Sequence, residues 1–193
     1  MNRATFYTAI RKSGIPGFSK LSQRQVDGME GILNAFVLVG DRRIKTLAYG
    51  LATARREVGA DMYPVREGFK KTDEEARAYV KKQGYKYAEV INGHVYYGRG
   101  LAQLTWFDNY NKEGIANDPE RALDPNWAAQ LLFKGIMDGR WNGQGKGLIH
   151  YLPDGGPDDL KNARRTVNIT DHWEEIADYY YRLVLVIVEA GGV

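Results

Sequence analysis

Glu57 and Glu67 flank a break in the pattern of LATARREVGADMYPVREGF, residues 51–69. Apolar positions at helical spacing run up to the first glutamate, Gly59 interrupts them, and Gly68 follows the second. Two carboxyl groups on opposite sides of a turn suit paired acid and base chemistry, in which one donates a proton while the other takes one from water. A helix end carries partial negative charge, and an apolar cleft wall excludes water. Both disfavour a charged carboxylate, so Glu57 is expected as the proton donor. Glu67, between a proline and a glycine, is expected on a wetter loop as the ionised partner. The plainer alternative is a surface ion pair between Glu57 and Arg55 or Arg56.

The elements that must position these acids follow from periodicity. Asp41 is the expected N-cap of a helix in which Ile44, Leu47, Ala48, Leu51 and Val58 form the buried stripe, ending near Gly59. Thr46, Gly50, Thr53 and Glu57 share another face, whose small residues are expected to leave an open groove below the carboxylate. Upstream, a short helix over Thr5–Lys12 and a second carrying Val26, Met29, Ile32, Leu33 and Phe36 are expected to lie as a lid on the third. Downstream, Thr72 and Glu75 form a capping box for a helix through Lys82. Residues 84–98 alternate around Asn92-Gly93 and predict a β-hairpin. Thr105 is placed to cap a helix from Trp106. Asp124 starts a helix with Ala128, Leu131, Leu132 and Ile136 inward and Gly139 as its stop. Residues 139–157 read mostly as loop, either cleft rim or connector. A helix runs through NARRTVN, and Asp171 with Glu174 caps a last one carrying Ile176, Tyr180, Leu183, Val184 and Ile187.

The composition bounds the function. A chain of 193 residues, 44% hydrophobic, is long enough for one catalytic domain over 1–193. Having no cysteine, it offers no thiolate nucleophile and no cysteine zinc site. His94, His150 and His172 are too scattered for a metal motif, and no glycine loop for phosphates follows an apolar strand, so no cofactor and no metal are expected. No stretch has signal-peptide or membrane-spanning length. The expectation is a monomer made in the cytoplasm, without stable membrane insertion or a nucleic-acid partner. It would reach its substrate after release through a pore, a secretion system or lysis. The net charge of +3 suits attraction to an anionic polymer.

Four segments in order then carry a resemblance: a helix ending in Glu57, YPVREGF with Glu67, YYGRGLAQLTWFDNY at 96–110, and ARRTVN at 163–168. Together they resemble glycoside hydrolase family 19, which contains chitinases and phage endolysins, over roughly residues 20–182. The LSQRQVDGMEGIL opening and MYPVREGF look most like the compact bacterial and phage members. The resemblance implies a mainly α (α+β), lysozyme-like two-lobed fold, a helical bundle facing a small hairpin lobe across a cleft. It implies Glu57 as general acid and Glu67 as general base of an inverting hydrolysis, Thr105 holding the attacking water, Tyr96, Tyr97, Gln103 and Asn109 lining the sugar cleft, and Asn168 supporting water or substrate. The sequence departs from the family at Arg56, where most relatives have His; a guanidinium near the acid would favour its charged form. Leu101-Ala102 replaces Pro-Ile before Gln-Leu. The substrate expected is cell-wall peptidoglycan, which would make the chain an endolysin-type muramidase. The alternatives are a chitinase, a lytic transglycosylase that needs one acid only, and a non-catalytic glycan-binding or phage structural protein.

Overall fold

A computed structural model describes residues 1–193. It is mainly helical, with nine α-helices and one two-stranded antiparallel sheet. The first three helices are α1 (Arg3–Lys12), α2 (Gln23–Val39) and α3 (Ile44–Val58). The smaller part of the molecule follows: β1 (Val65–Arg66), α4 (Asp73–Lys82), β2 (Arg99–Gly100) and α5 (Phe107–Lys112). The chain then returns through α6 (Pro125–Asp138), α7 (Leu148–Tyr151), α8 (Leu160–Ala163) and α9 (Trp173–Glu189). No helix is long and apolar enough to cross a membrane.

The helical part is organised by hydrophobic burial. Leu47, Ala48, Leu51 and Val58 of α3 are buried as their spacing predicts, and α3 packs chiefly on α9 through Ile176, Tyr180, Leu183 and Ile187. The expected lid is not formed. Helix α1 lies chiefly on α9 and α2 chiefly on α6, and α2 also makes a small contact with α3, so the pair flanks α3 more than it covers it. Start and stop signals are mixed. Thr72 and Glu75 form their capping box, Asp124 caps α6 through the amides of Asn126 and Trp127, and Gly139 ends α6 in the left-handed conformation. Asp41 does not cap α3. That position belongs to Arg43, and Asp41 instead accepts from the Arg43 amide and the Thr46 hydroxyl. Asp171 does not cap α9 either, because His172 occupies the position in a left-handed conformation. The helix expected through NARRTVN is one turn, α8, followed by a 3-10 turn over Arg164–Thr166.

The smaller part corrects the hairpin expected over 84–98. Asn92-Gly93 does make a tight turn, with both residues at positive φ and paired bonds between Ile91 and His94. Pairing stops there, and the preceding arm holds a 3-10 turn over Lys86–Ala88. Burial overrides local pairing. Val95 and Tyr97 point into a cluster with Ala76 and Val80 of α4, while Tyr96 points into another with Leu104, Tyr110 and Leu131. The sheet pairs distant segments instead, with Val65 opposite Gly100 and Arg66 opposite Arg99.

These two clusters contain seven and four buried residues against 38 in the main core, too few to hold the segment by apolar contact alone. Between them lies Arg99, 1% exposed. Its guanidinium stacks on Tyr97 at 3.5 Å, pairs with Asp73 at 3.0 Å and Glu120 at 2.9 Å, and donates to the Val95 carbonyl and the Tyr110 hydroxyl. A buried guanidinium with all of these partners is a polar centre around which strands and turns are fixed.

Candidate active site

A cleft of about 570 Å³ runs between the helical part and the smaller part, and both glutamates line it. Glu57 sits in the last turn of α3, its side chain 14% exposed. Oε1 lies 2.6 Å from Nη2 of Arg164, which is 2% exposed, in a close ion pair rather than an aligned hydrogen bond. Arg164 is anchored in turn by the Asp171 carbonyl at 3.2 Å and its carboxylate at 3.5 Å. The dry apolar wall expected beside Glu57 is therefore corrected to a buried cation. Arg56 is not that cation: it pairs with Glu175 at 3.0 Å. Arg55 turns away too, donating to the Pro16 carbonyl. Neighbouring residues on a helix point about 100° apart, so Arg55 and Arg56 cannot both share the face of Glu57.

The face expected to be an open groove below Glu57 is filled. Thr46 and Thr53 are fully buried, and a Cβ at Gly50 would meet the Phe133 ring at 2.5 Å. The hydroxyls of Tyr49 and Thr53 are buried there without hydrogen-bond partners. Burial, with Glu57 adding to it and Arg164 opposing it, raises the Tyr49 pKa, so the phenol stays neutral.

Glu67 opens a 3-10 turn after β1 and is held from the opposite wall. Its Oε1 accepts from the Tyr87 hydroxyl at 2.6 Å and its Oε2 from the Gly98 amide at 2.8 Å, while its own amide donates to the Gly98 carbonyl. The loosely solvated carboxylate expected here is thus corrected to one oriented by fixed donors. A Cβ at Gly98 would press on the cleft side chains, lying 2.8 Å from Gln103 Oε1 and 3.3 Å from Glu67 Oε2, so glycine lets Glu67 approach the backbone closely. Burial and the bond to Glu67 both raise the Tyr87 pKa, keeping its proton on the donor side.

Gln103, Thr105, Asn109 and Asn168 all line the cleft. Gln103, at φ 51°, is braced by bonds from its amide to the Val65 and Gly100 carbonyls. Thr105 does not cap α5. Its hydroxyl donates to the Gln103 carbonyl at 2.8 Å, and its own carbonyl accepts from Asn109. Asn168 is exposed, its Oδ1 accepting from the Ile169 amide. Tyr96 and Tyr97 are not brought to this cleft. They are 2% and 0% exposed, with hydroxyls spent on the Ala116 carbonyl and on Asp73, so their role is to hold the smaller part together.

Sequence reasoning missed several residues that matter here. Arg164 and Arg99 were visible as charges inside ARRTVN and GRG, but not as buried ones. Tyr87 was one tyrosine among 13. Trp106 and Trp141 offer aromatic surface to the cleft, and Trp141, Asn142 and Gln144 make 139–157 in part a cleft rim. No group of three or more His, Asp or Glu side chains is arranged to hold a metal ion. No family model, curated protein or solved structure matches the chain.

Proposed function

We infer that the protein is an inverting glycoside hydrolase with a lysozyme-like division into two lobes, cleaving β-1,4 bonds of a cell-wall N-acetylhexosamine polymer. The observation that carries this reading is that Glu57 and Glu67, from elements close together in the chain, face one cleft whose lining includes side-chain amides, the hydroxyls of Tyr87 and Thr105, two tryptophans, Arg165 and a few apolar side chains. Such a lining suits sugars, whose hydroxyls take the amides and whose apolar faces stack on indole rings.

In this reading Glu57, protonated from solvent before each turnover against the pull of Arg164, delivers that proton to the leaving glycosidic oxygen. The carboxylate then formed lies beside Arg164, whose charge stabilises it. Glu67 takes the proton of a water on the other face of the ring, an arrangement that needs the carboxyl groups roughly 6.5–9.5 Å apart. Tyr87 and Gly98 occupy two of the four lone-pair positions of Glu67, leaving others for that water. Thr105 spends its proton on Gln103, so its oxygen is free to accept from the same water. Asn109 and Asn168 contribute amide groups to sugar hydroxyls.

Peptidoglycan is the favoured polymer because it is anionic and the chain carries a net charge of +3. The test is release of reducing ends from purified peptidoglycan and from chitin, side by side. Release from peptidoglycan should fall by about 10²–10⁴ in Glu57→Gln and in Glu67→Gln. Faster release from chitin would transfer the reading to a chitinase. Full activity in Glu67→Gln, with anhydro ends, would replace hydrolysis by transglycosylation. Binding of either polymer without release would leave a glycan-binding protein.

A further inference from the structure

Beside the cleft lies a second pocket of about 180 Å³, lined by Lys86, Tyr87, Glu89, Ile91, Tyr96, Trp106, Phe107 and Asp108. Tyr87 and Trp106 border both cavities, so the two are separated only by this pair of rings, which meet edge to face at 5.4 Å. Trp106 has φ 75°, a conformation that non-glycine residues rarely adopt. Its amide is tied to the Tyr96 carbonyl at 2.9 Å, and the residue stays 49% exposed between the two pockets.

The charges of this pocket are also unspent. Lys86, Glu89 and Asp108 are exposed, and none of them makes a salt bridge or a side-chain hydrogen bond, whereas Asp73 and Glu120 nearby in the chain are paired with arginines. One cation and two carboxylates around an apolar floor of Ile91, Tyr96 and Phe107 do not match a neutral sugar. They match a short chain that carries both carboxylate and ammonium groups with apolar methyls between them.

Resting on the hydrolase reading, we propose that this pocket binds the peptide stem of peptidoglycan. Lys86 receives a stem carboxylate, Glu89 and Asp108 receive the ammonium of its diamino acid, and Trp106 divides the glycan track from the peptide track. The pocket thereby selects a peptide-bearing glycan over chitin.

The test has two arms. In the first, the full chain is titrated with a soluble wall peptide of alternating L and D residues containing a diamino acid, and the Trp106 indole resonance is followed. Saturable shifts that disappear in Lys86→Ala, and in Asp108→Asn combined with Glu89→Gln, are expected. The absence of shifts in the wild type, or shifts unchanged in these variants, overturns the proposal. In the second arm, reducing ends are measured on intact peptidoglycan and on the same glycan stripped of its peptides. KM should be about three- to tenfold lower on the intact polymer. Lys86→Ala should remove that preference without slowing cleavage of stripped glycan. Equal KM on both polymers overturns the peptide pocket and leaves the hydrolase reading standing. If neither polymer is cut while the peptide still binds through Lys86, the hydrolase reading falls and the pocket stands.

Discussion

The wall that carries Glu57 is a helix with ten of its fifteen residues buried, whereas Glu67 stands on a three-residue turn with none. On the first wall, position follows from packing: α3 is gripped by α9, and its carboxylate is carried to the cleft as a consequence of helix phase. On the second, position follows from polar contacts. A phenol and a backbone amide aim the carboxylate, and Arg99, paired with Asp73 and Glu120, anchors the chain next to Gly98, which supplies that amide. Each wall has a buried arginine, but Arg164 touches its glutamate while Arg99 acts through the frame. The lesson is that a helix end can be placed by hydrophobic burial alone, and a turn cannot.

The largest effect that separates the two walls should come from Arg99→Met. It leaves two carboxylates facing an apolar side chain, but both are partly exposed and keep Arg77 and Arg66 as partners, so the loss should lie below the ~3–5 kcal/mol of a stranded buried charge. Urea unfolding followed by tryptophan fluorescence should show the smaller part melting before the helical core, whose far-ultraviolet circular dichroism should persist. A single transition with unchanged midpoint would break the comparison, since it would mean that the clusters of seven and four residues hold this segment unaided.

Tyr87→Phe comes next and sharpens the same contrast. Packing against Trp106 and Tyr85 is retained, and only the donor to Glu67 is lost. Hydrogen bonds to charged groups contribute roughly 1.5–3 kcal/mol, so kcat should fall about ten- to a hundredfold if the bond orients the base. KM for the glycan should change little, and the melting temperature by only a few degrees. Equal kcat in the variant would mean that Gly98 alone aims Glu67.

The same contrast explains what was legible in the sequence. Helices placed by burial were readable because a 3.6-residue period records which face is inside, as with Leu131, Leu132 and Ile136 of α6. Local caps such as Thr72 with Glu75 were readable because donor and acceptor lie in one turn. The cleft carboxylates and Gln103, Thr105, Asn109 and Asn168 were found from a short ordered pattern, and they do share a cavity. What failed depended on partners distant in the chain. Asn92-Gly93 turns as expected, but whether its arms pair is decided by where Tyr96 and Tyr97 are buried. The cation beside Glu57 comes from 107 positions away, while the adjacent Arg56 turns to Glu175; helix phase could have excluded Arg56 but could not have supplied Arg164.

The smallest effect expected is on acid stability, and it belongs to the polar wall. Burial works against ionisation of Asp73, but the Tyr97 hydroxyl and the guanidinium groups of Arg77 and Arg99 outweigh it, so its folded pKa lies below the ordinary 3.8. For a carboxylate with a depressed folded pKa, the stabilisation is fully present above the unfolded value and is lost as pH falls through the folded one. Asp73→Asn should therefore lower the urea midpoint of the smaller part at neutral pH, and the gap should close as pH falls below 3.8. About a quarter of the Asp73 side chain faces solvent, so water and salt screen part of the effect, and it should shrink further in high salt. A gap that persists undiminished in acid would mean that Asp73 contributes by shape and neutral hydrogen bonding rather than by charge. Arg99 would then have to be held chiefly by Glu120, Tyr97 and Tyr110.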